Sequence, residues 1–98
     1  MARVELAPEV RDDFERILDH LLQHDPGHAS SRISEIVQAI DVLATNPLIG
    51  RPTRGGKREL VIGHRSRCYI ALYGYVAALD VAFVLAIGGQ REAGYRRE

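Results

Sequence analysis

The sequence predicts an α+β fold: an N-terminal strand and a helical hairpin, then a three-stranded antiparallel meander, with the helices packed on one face of a single sheet. Three observations predict it. Two stretches of helical periodicity fill the first half of the chain, a Pro- and Gly-rich segment follows them, and β-branched and aromatic residues dominate the second half. Chains of 98 residues hold one hydrophobic core, so residues 1–98 are expected to form a single domain.

The first half supplies a strand and two helices. Residues 3–6 alternate in polarity, which predicts a short strand. Apolar residues follow helical spacing over 10–22 and again over 33–44, and Asp25-Pro26-Gly27 separates the two stripes. Asn46-Pro47 ends the second helix, because the residue before a proline disfavours helical dihedrals. The side chains expected to pack against the sheet are Phe14, Leu18, Leu21, Ile36, Val37 and Ile40.

The second half supplies the meander. Residues 47–56 are rich in proline and glycine and predict a loop. Strands are predicted over 58–62, 67–76 and 80–87, and their short links favour antiparallel pairing. The last strand is apolar on both faces. One face can pack on the helices, and the other, with Ala82, Val84 and Ala86, needs a cover such as a partner protein.

Composition excludes several classes of protein. The lone Cys68 excludes an internal disulfide framework and a multi-cysteine zinc site. No apolar run approaches the roughly 20 residues of a membrane helix, and the first residues lack a signal-peptide core, so we expect a cytoplasmic protein without a membrane partner. His20 and His24 lie one helical turn apart, but no glutamate between them completes a zinc-protease pattern. We therefore expect no metal and no cofactor.

A net charge of zero conceals two halves of opposite sign. Residues 1–50 carry four Arg and nine Asp or Glu, a charge of −5, and residues 51–98 carry nine Lys or Arg and four Asp or Glu, a charge of +5. Six of these cations fall in 51–67, against Glu59 alone. Such a chain can present a cationic face to phosphate or to an acidic partner, or simply two solvated faces of opposite charge.

Four segments in this order resemble the RelE/ParE superfamily of bacterial toxins: NPLIGRP at 46–52, REL at 58–60, YIALY at 69–73 and QREAGY at 90–95. The resemblance implies the toxin of a type II toxin–antitoxin pair, often labelled a plasmid stabilisation protein. RelE-like members cut mRNA in the ribosomal A site, and ParE-like members inhibit DNA gyrase without cutting anything.

The leading expectation is a RelE-like, ribosome-dependent mRNA endoribonuclease. The alternatives are a ParE-like gyrase inhibitor without catalytic activity, and an attenuated toxin that mainly binds its antitoxin. The implied partners are a cognate antitoxin and either the ribosome with mRNA or DNA gyrase, in a homodimer or a toxin–antitoxin hetero-oligomer.

RNA cleavage needs a base for the ribose 2′-OH, cations for the phosphate and an acid for the leaving 5′-oxygen. The candidate catalytic residues are Arg91, Tyr95, Arg65 and His64. The arginines would bind phosphate oxygens, and His64 has a suitable unperturbed pKa of about 6.5. Tyr95 would need a pKa lowered by cationic neighbours. The structural alternatives are a solvated turn histidine and a tyrosine that packs at the sheet edge.

The candidate binding residues are Lys57, Arg58, Arg67, Gly74 and Gly88. The cations would meet an anionic target, although Lys57 and Arg58 could also serve only to protect an edge strand. The resemblance implies arginine where this chain has Gly74 and Gly88, so the two glycines predict a weakened toxin. Their structural alternative is a bulge or a strand end.

Overall fold

The computed structural model describes residues 1–63 and 68–89, and their α+β architecture confirms the expected fold class. Its elements, in chain order, are β1 (Arg3–Leu6), α1 (Glu9–His24), α2 (Ala29–Asp41), β2 (Arg51–Pro52), β3 (Arg58–Ile62), β4 (Tyr69–Val76) and β5 (Val81–Gly89). Short 3₁₀ turns at Pro26–His28, Val42–Ala44 and Arg54–Gly56 connect them.

The described strands form one five-stranded sheet in the order β1-β5-β4-β3-β2. β3, β4 and β5 make the expected antiparallel meander, and β1 lies parallel to β5. β2 is an addition inside the segment predicted to be a loop, where Arg51 and Pro52 pair with Glu59 and Arg58. Pro52 is tolerated there because β2 is an edge strand.

The two helices cover one face of the sheet, but they are rotated relative to the expectation. Val10 and Ile17 are buried with Leu21, as the stripe predicts, and Asp13 is buried among them. The prediction was wrong for Leu18 and Val37, which are 38% and 44% exposed. The hairpin therefore keeps part of its apolar surface in solvent.

The core joins helix residues to alternate residues of β4 and β5. Its β-sheet members include Ala71 and Tyr73 of β4 and Ala82 and Val84 of β5. The expectation that Ala82 and Val84 belong to an uncovered face was therefore wrong, because the helices pack on that face. Tyr73 pairs with Val84 and Leu72 pairs with Ala86, so the register of the ladder shifts by one residue at Leu85. This β-bulge returns Ile87 to the core two residues later.

The opposite face of the sheet carries no described helix. Ile70, Leu72 and Gly74 alternate with the core residues of β4, so their side of the strand is the helix-free face. Phe83 pairs with Gly74 and lies on the same face, half-buried. The helix-free face is thus largely apolar.

Candidate functional site

The 47–50 loop before β2 is held to the sheet by a buried tyrosine. The Tyr73 hydroxyl donates a hydrogen bond to the Pro47 carbonyl oxygen at 2.8 Å and accepts one from the Gly50 N–H at 2.9 Å. The ring itself is completely buried in the core. Both ends of the loop are therefore attached to a side chain that has no room to move.

Arg58 holds the same loop from β3. Its Nη1 donates to the carbonyl oxygens of Gly50 at 2.7 Å and Leu48 at 3.2 Å. Arg58 pairs with Tyr73 in the ladder, so both side chains extend from the same side of the sheet. The proposed target-binding role of Arg58 stays a prediction, and the structure adds a structural role for its guanidinium.

Gly50 lies where no side chain fits. A Cβ there would lie 2.6 Å from Tyr73 Cε1, 2.8 Å from the Tyr73 hydroxyl and 2.9 Å from the Glu59 carbonyl oxygen. Glycine allows the loop backbone to approach the sheet closely enough for both sets of hydrogen bonds. Sequence reasoning did not single out Gly50 or Tyr73. The available signal was the position of Tyr73 in the strand alternation, which places it on the core face. A buried tyrosine hydroxyl needs a hydrogen-bond partner.

The cationic side chains of the β2–β3 hairpin differ in their surroundings. Arg51 Nε lies 3.2 Å from Glu59 Oε1, so its charge is locally balanced. Arg54 and Lys57 are exposed in the connecting turn. Lys57, predicted to bind a target, is therefore accessible beside Arg54, and that role stays a prediction.

A second buried polar contact joins α1 to β5 just after the bulge. Asp13, 4% exposed, accepts the Ile87 N–H on Oδ2 at 3.0 Å. Arg16 Nη2 donates to the Ile87 carbonyl oxygen at 3.1 Å. These two side chains take the place of a neighbouring strand where β1 has already ended. Asp13 lies one helical turn from Val10 and Ile17, so its place on the apolar stripe was the overlooked signal.

Tyr75, near the end of β4, has a shifted pKa. The Tyr75 hydroxyl donates a hydrogen bond to Asp80 Oδ1 at 2.6 Å. This bond, with smaller contributions from desolvation and from the Asp80 charge, raises the pKa of Tyr75 above its ordinary 10.0. The shift is opposite to the one that a general base near neutral pH requires.

An apolar groove of about 540 Å³ lies on the outer side of the helical hairpin, lined by Phe14, Leu18, Leu22, Pro26 and Ile33 among others. Leu18 and Leu22 are 38% and 53% exposed.

The His20 and His24 rings lie with their centroids 4.4 Å apart. Within residues 1–63 and 68–89, no three His, Cys, Asp or Glu side chains are grouped as a metal site requires. Neither helix in these ranges has the length and apolar character needed to cross a bilayer.

Comparison with known proteins assigns the chain to a family. The family model for the ParE toxin of the type II toxin–antitoxin system, parDE, matches residues 4–94, nearly the whole chain. The chain belongs to the ParE toxin family. A solved structure described as the chromosomal ParDE TA system from P. aeruginosa is similar to this ParE-family chain, with a TM-score of 0.75 and 22% sequence identity. The alignment covers 91% of this chain and 96% of that one, and shows a common fold. No curated protein matches.

This ParE-family chain is a type II toxin, as the resemblance implied.

The two glycines predicted to weaken the toxin both lie in paired strands. Gly74 pairs with Phe83, and a Cβ at Gly74 would meet no atom within 4 Å. Gly88 pairs with Ile70 and is buried. By strand alternation both glycines lie on the helix-free face, on the opposite side from Arg58. The bulge is at Leu85, so neither glycine is the bulged residue.

The predicted catalytic residues of the ParE-family chain fall outside the described residues. His64, Arg65 and the predicted binding residue Arg67 precede β4 in sequence, and Arg91 and Tyr95 follow β5 in sequence. Their catalytic and binding roles stay predictions.

Proposed function

We propose that this ParE-family toxin arrests growth by binding DNA gyrase and does not itself cut RNA. The family assignment over residues 4–94 carries the proposal, because inhibition of gyrase is the typical activity of ParE toxins. It favours the gyrase inhibitor over the mRNA endoribonuclease, which was the leading expectation from sequence. Binding alone requires an accessible, shape-specific surface and no acid–base pair.

We also propose a cognate antitoxin as the physiological partner, in the cytoplasm. The comparison structure is described as a toxin–antitoxin system, which supports such a partner. Ala82 and Val84 of β5, once expected to receive it, pack under the helices, whereas Ala86 pairs with Leu72 on the helix-free face. The groove between α1 and α2, with exposed Leu18 and Leu22, offers an apolar surface that an antitoxin segment can bury.

Two target assays test the proposed activity. Purified toxin is titrated into a gyrase supercoiling reaction, and RNA from induced cells is sequenced for codon-phased cuts. We expect loss of supercoiling and no such cuts. Codon-phased cleavage with undisturbed supercoiling would overturn the proposal and restore the endoribonuclease.

Co-expression with the neighbouring gene product tests the partner. Suppression of growth arrest and co-purification of the two proteins are expected. A Leu22→Glu variant should release the partner, whereas Leu79→Glu, a change at another exposed apolar residue, should retain it. Retention by both variants would show that the groove is not the docking site.

A further inference from the structure

The 47–50 loop exposes two adjacent apolar side chains on a fixed backbone. Leu48 is 57% exposed and Ile49 is 55% exposed. The flanking backbone is held by the Tyr73 hydroxyl, by Arg58 and by a hydrogen bond from the Ile49 N–H to the Asn46 carbonyl oxygen at 3.1 Å. Surface loops are usually mobile and polar, whereas this one exposes two apolar side chains and is hydrogen-bonded to the sheet through Tyr73 and Arg58.

Such a loop is well suited to anchor a protein partner. Binding usually costs the conformational entropy of the loop that becomes ordered. Because the backbone at Leu48 and Ile49 is already held, only their side-chain rotamers remain to be restricted. At protein interfaces a few side chains seated in well-packed, desolvated pockets carry most of the binding energy.

The charges beside the loop define the border of the complementary pocket. Arg54 and Lys57 are exposed, whereas Arg51 faces Glu59 and Arg58 is engaged with loop carbonyls. Arg54 lies four positions after Gly50, so their Cα atoms are at most about 14 Å apart. A partner that receives the loop therefore meets positive charge at the edge of the contact.

We propose that Leu48 and Ile49 are the apolar anchor through which this toxin engages gyrase, seated in a pocket of the folded enzyme whose border carries carboxylates facing Arg54 and Lys57. The inference rests on the proposed function and names the surface that performs it. A folded partner with a pocket fits because Leu48 and Ile49 are adjacent side chains that are both more than half exposed. An extended antitoxin segment would instead require a groove or an open strand edge.

The test measures binding of purified toxin to the gyrase holoenzyme, supercoiling inhibition and growth arrest, for the wild type and for Leu48→Ser, Ile49→Ser and Leu79→Ser. Leu79 is the matched control, because it is 65% exposed and lies in the β4–β5 turn beside β1. We expect Leu48→Ser and Ile49→Ser each to weaken gyrase binding on the order of 10- to 30-fold. Leu79→Ser should bind as the wild type does.

The melting temperature separates lost binding from lost folding. All three serine variants change exposed side chains, so each should melt within about 3 °C of the wild type. A further variant, Lys57→Ala, should slow association and reduce its dependence on salt, as expected of a charge at the edge of an interface.

The outcomes distinguish the two proposals. If the wild type inhibits gyrase and both loop variants inhibit it equally well, the anchor is overturned and the proposed function stands. If the wild type leaves gyrase active and still arrests growth, the proposed function and its gyrase anchor both fail. A wild type with neither activity also overturns both.

Discussion

Gly50→Ala should destabilise the protein strongly, and Gly27→Ala should not. The Cβ introduced at Gly50 would lie 2.6 Å from a ring atom of the fully buried Tyr73 and 2.9 Å from a β3 carbonyl oxygen. Neither neighbour can move away, since one is packed in the core and the other belongs to a paired strand. The loop itself must move, and its hydrogen bonds to Tyr73 and Arg58 must lengthen or break.

The magnitude follows from two effects. Overpacking of a well-filled site costs about 1–3 kcal/mol, and a buried N–H left without its acceptor costs about 1–3 kcal/mol more. The sum of about 2–6 kcal/mol corresponds to a fall in melting temperature of at least about 8 °C for a domain of this size. At Gly27, by contrast, a Cβ would meet no atom within 4 Å, so its alanine variant should unfold within about 0.5 kcal/mol of the wild type.

The stability of both variants is measured by thermal and urea unfolding, followed by far-ultraviolet circular dichroism. The Gly27 variant controls for the general effect of replacing glycine by alanine on the unfolded chain. Should the two variants melt within about 2 °C of each other, the 47–50 loop is not held as the contacts indicate. Leu48 and Ile49 would then lack the preorganised backbone on which the proposed anchor depends.

Three further predictions concern other parts of the fold. Asp13→Ala should cost about 1–3 kcal/mol, because it leaves the buried Ile87 N–H without an acceptor; unchanged urea stability and unchanged hydrogen exchange at the Ile87 amide would contradict this. Tyr75 should titrate above pH 10.0, so the stability from its bond to Asp80 is present below about pH 10 and is lost as the pH rises through the raised pKa. In the Asp80→Asn variant the pKa of Tyr75 should move back towards its ordinary value, as measured by absorbance titration. Asparagine tolerates the positive φ of 52° at this position. Gly74→Arg should increase growth arrest at equal soluble level, since a side chain has open space there, whereas equal toxicity of Gly74→Arg and Gly74→Gln would exclude a role for the added charge.

The order and type of the main elements could be read from the sequence, because the signals are local. Helical spacing over 10–22 and 33–44 and the Asp25-Pro26-Gly27 break place both helices within a few residues of their observed bounds. The β-branched and aromatic runs place the meander in the same way. The family resemblance also depended on short segments in a fixed order. These features are set by residues near one another in the chain.

The rotation of the helices and the orientation of β5 depended on tertiary structure. A helical stripe defines a face of the helix, but the partner surface decides which edge of that stripe is buried, so Leu18 is exposed while Asp13 is buried. Alternation along β5 does not reveal the bulge at Leu85, because a bulge is defined by the pairing with β4.

The candidate surface shows the same division. Cations and a Pro- and Gly-rich loop around residues 46–58 are evident from the sequence alone. The hydrogen bonds from the Arg58 guanidinium to the loop carbonyls, and those between the loop and the buried Tyr73, 23 residues beyond Gly50, became evident only in the folded structure. A hydrogen bond between residues far apart in the chain depends on the packing of every element between them. Local residue patterns therefore do not predict which of these residues come within hydrogen-bond distance.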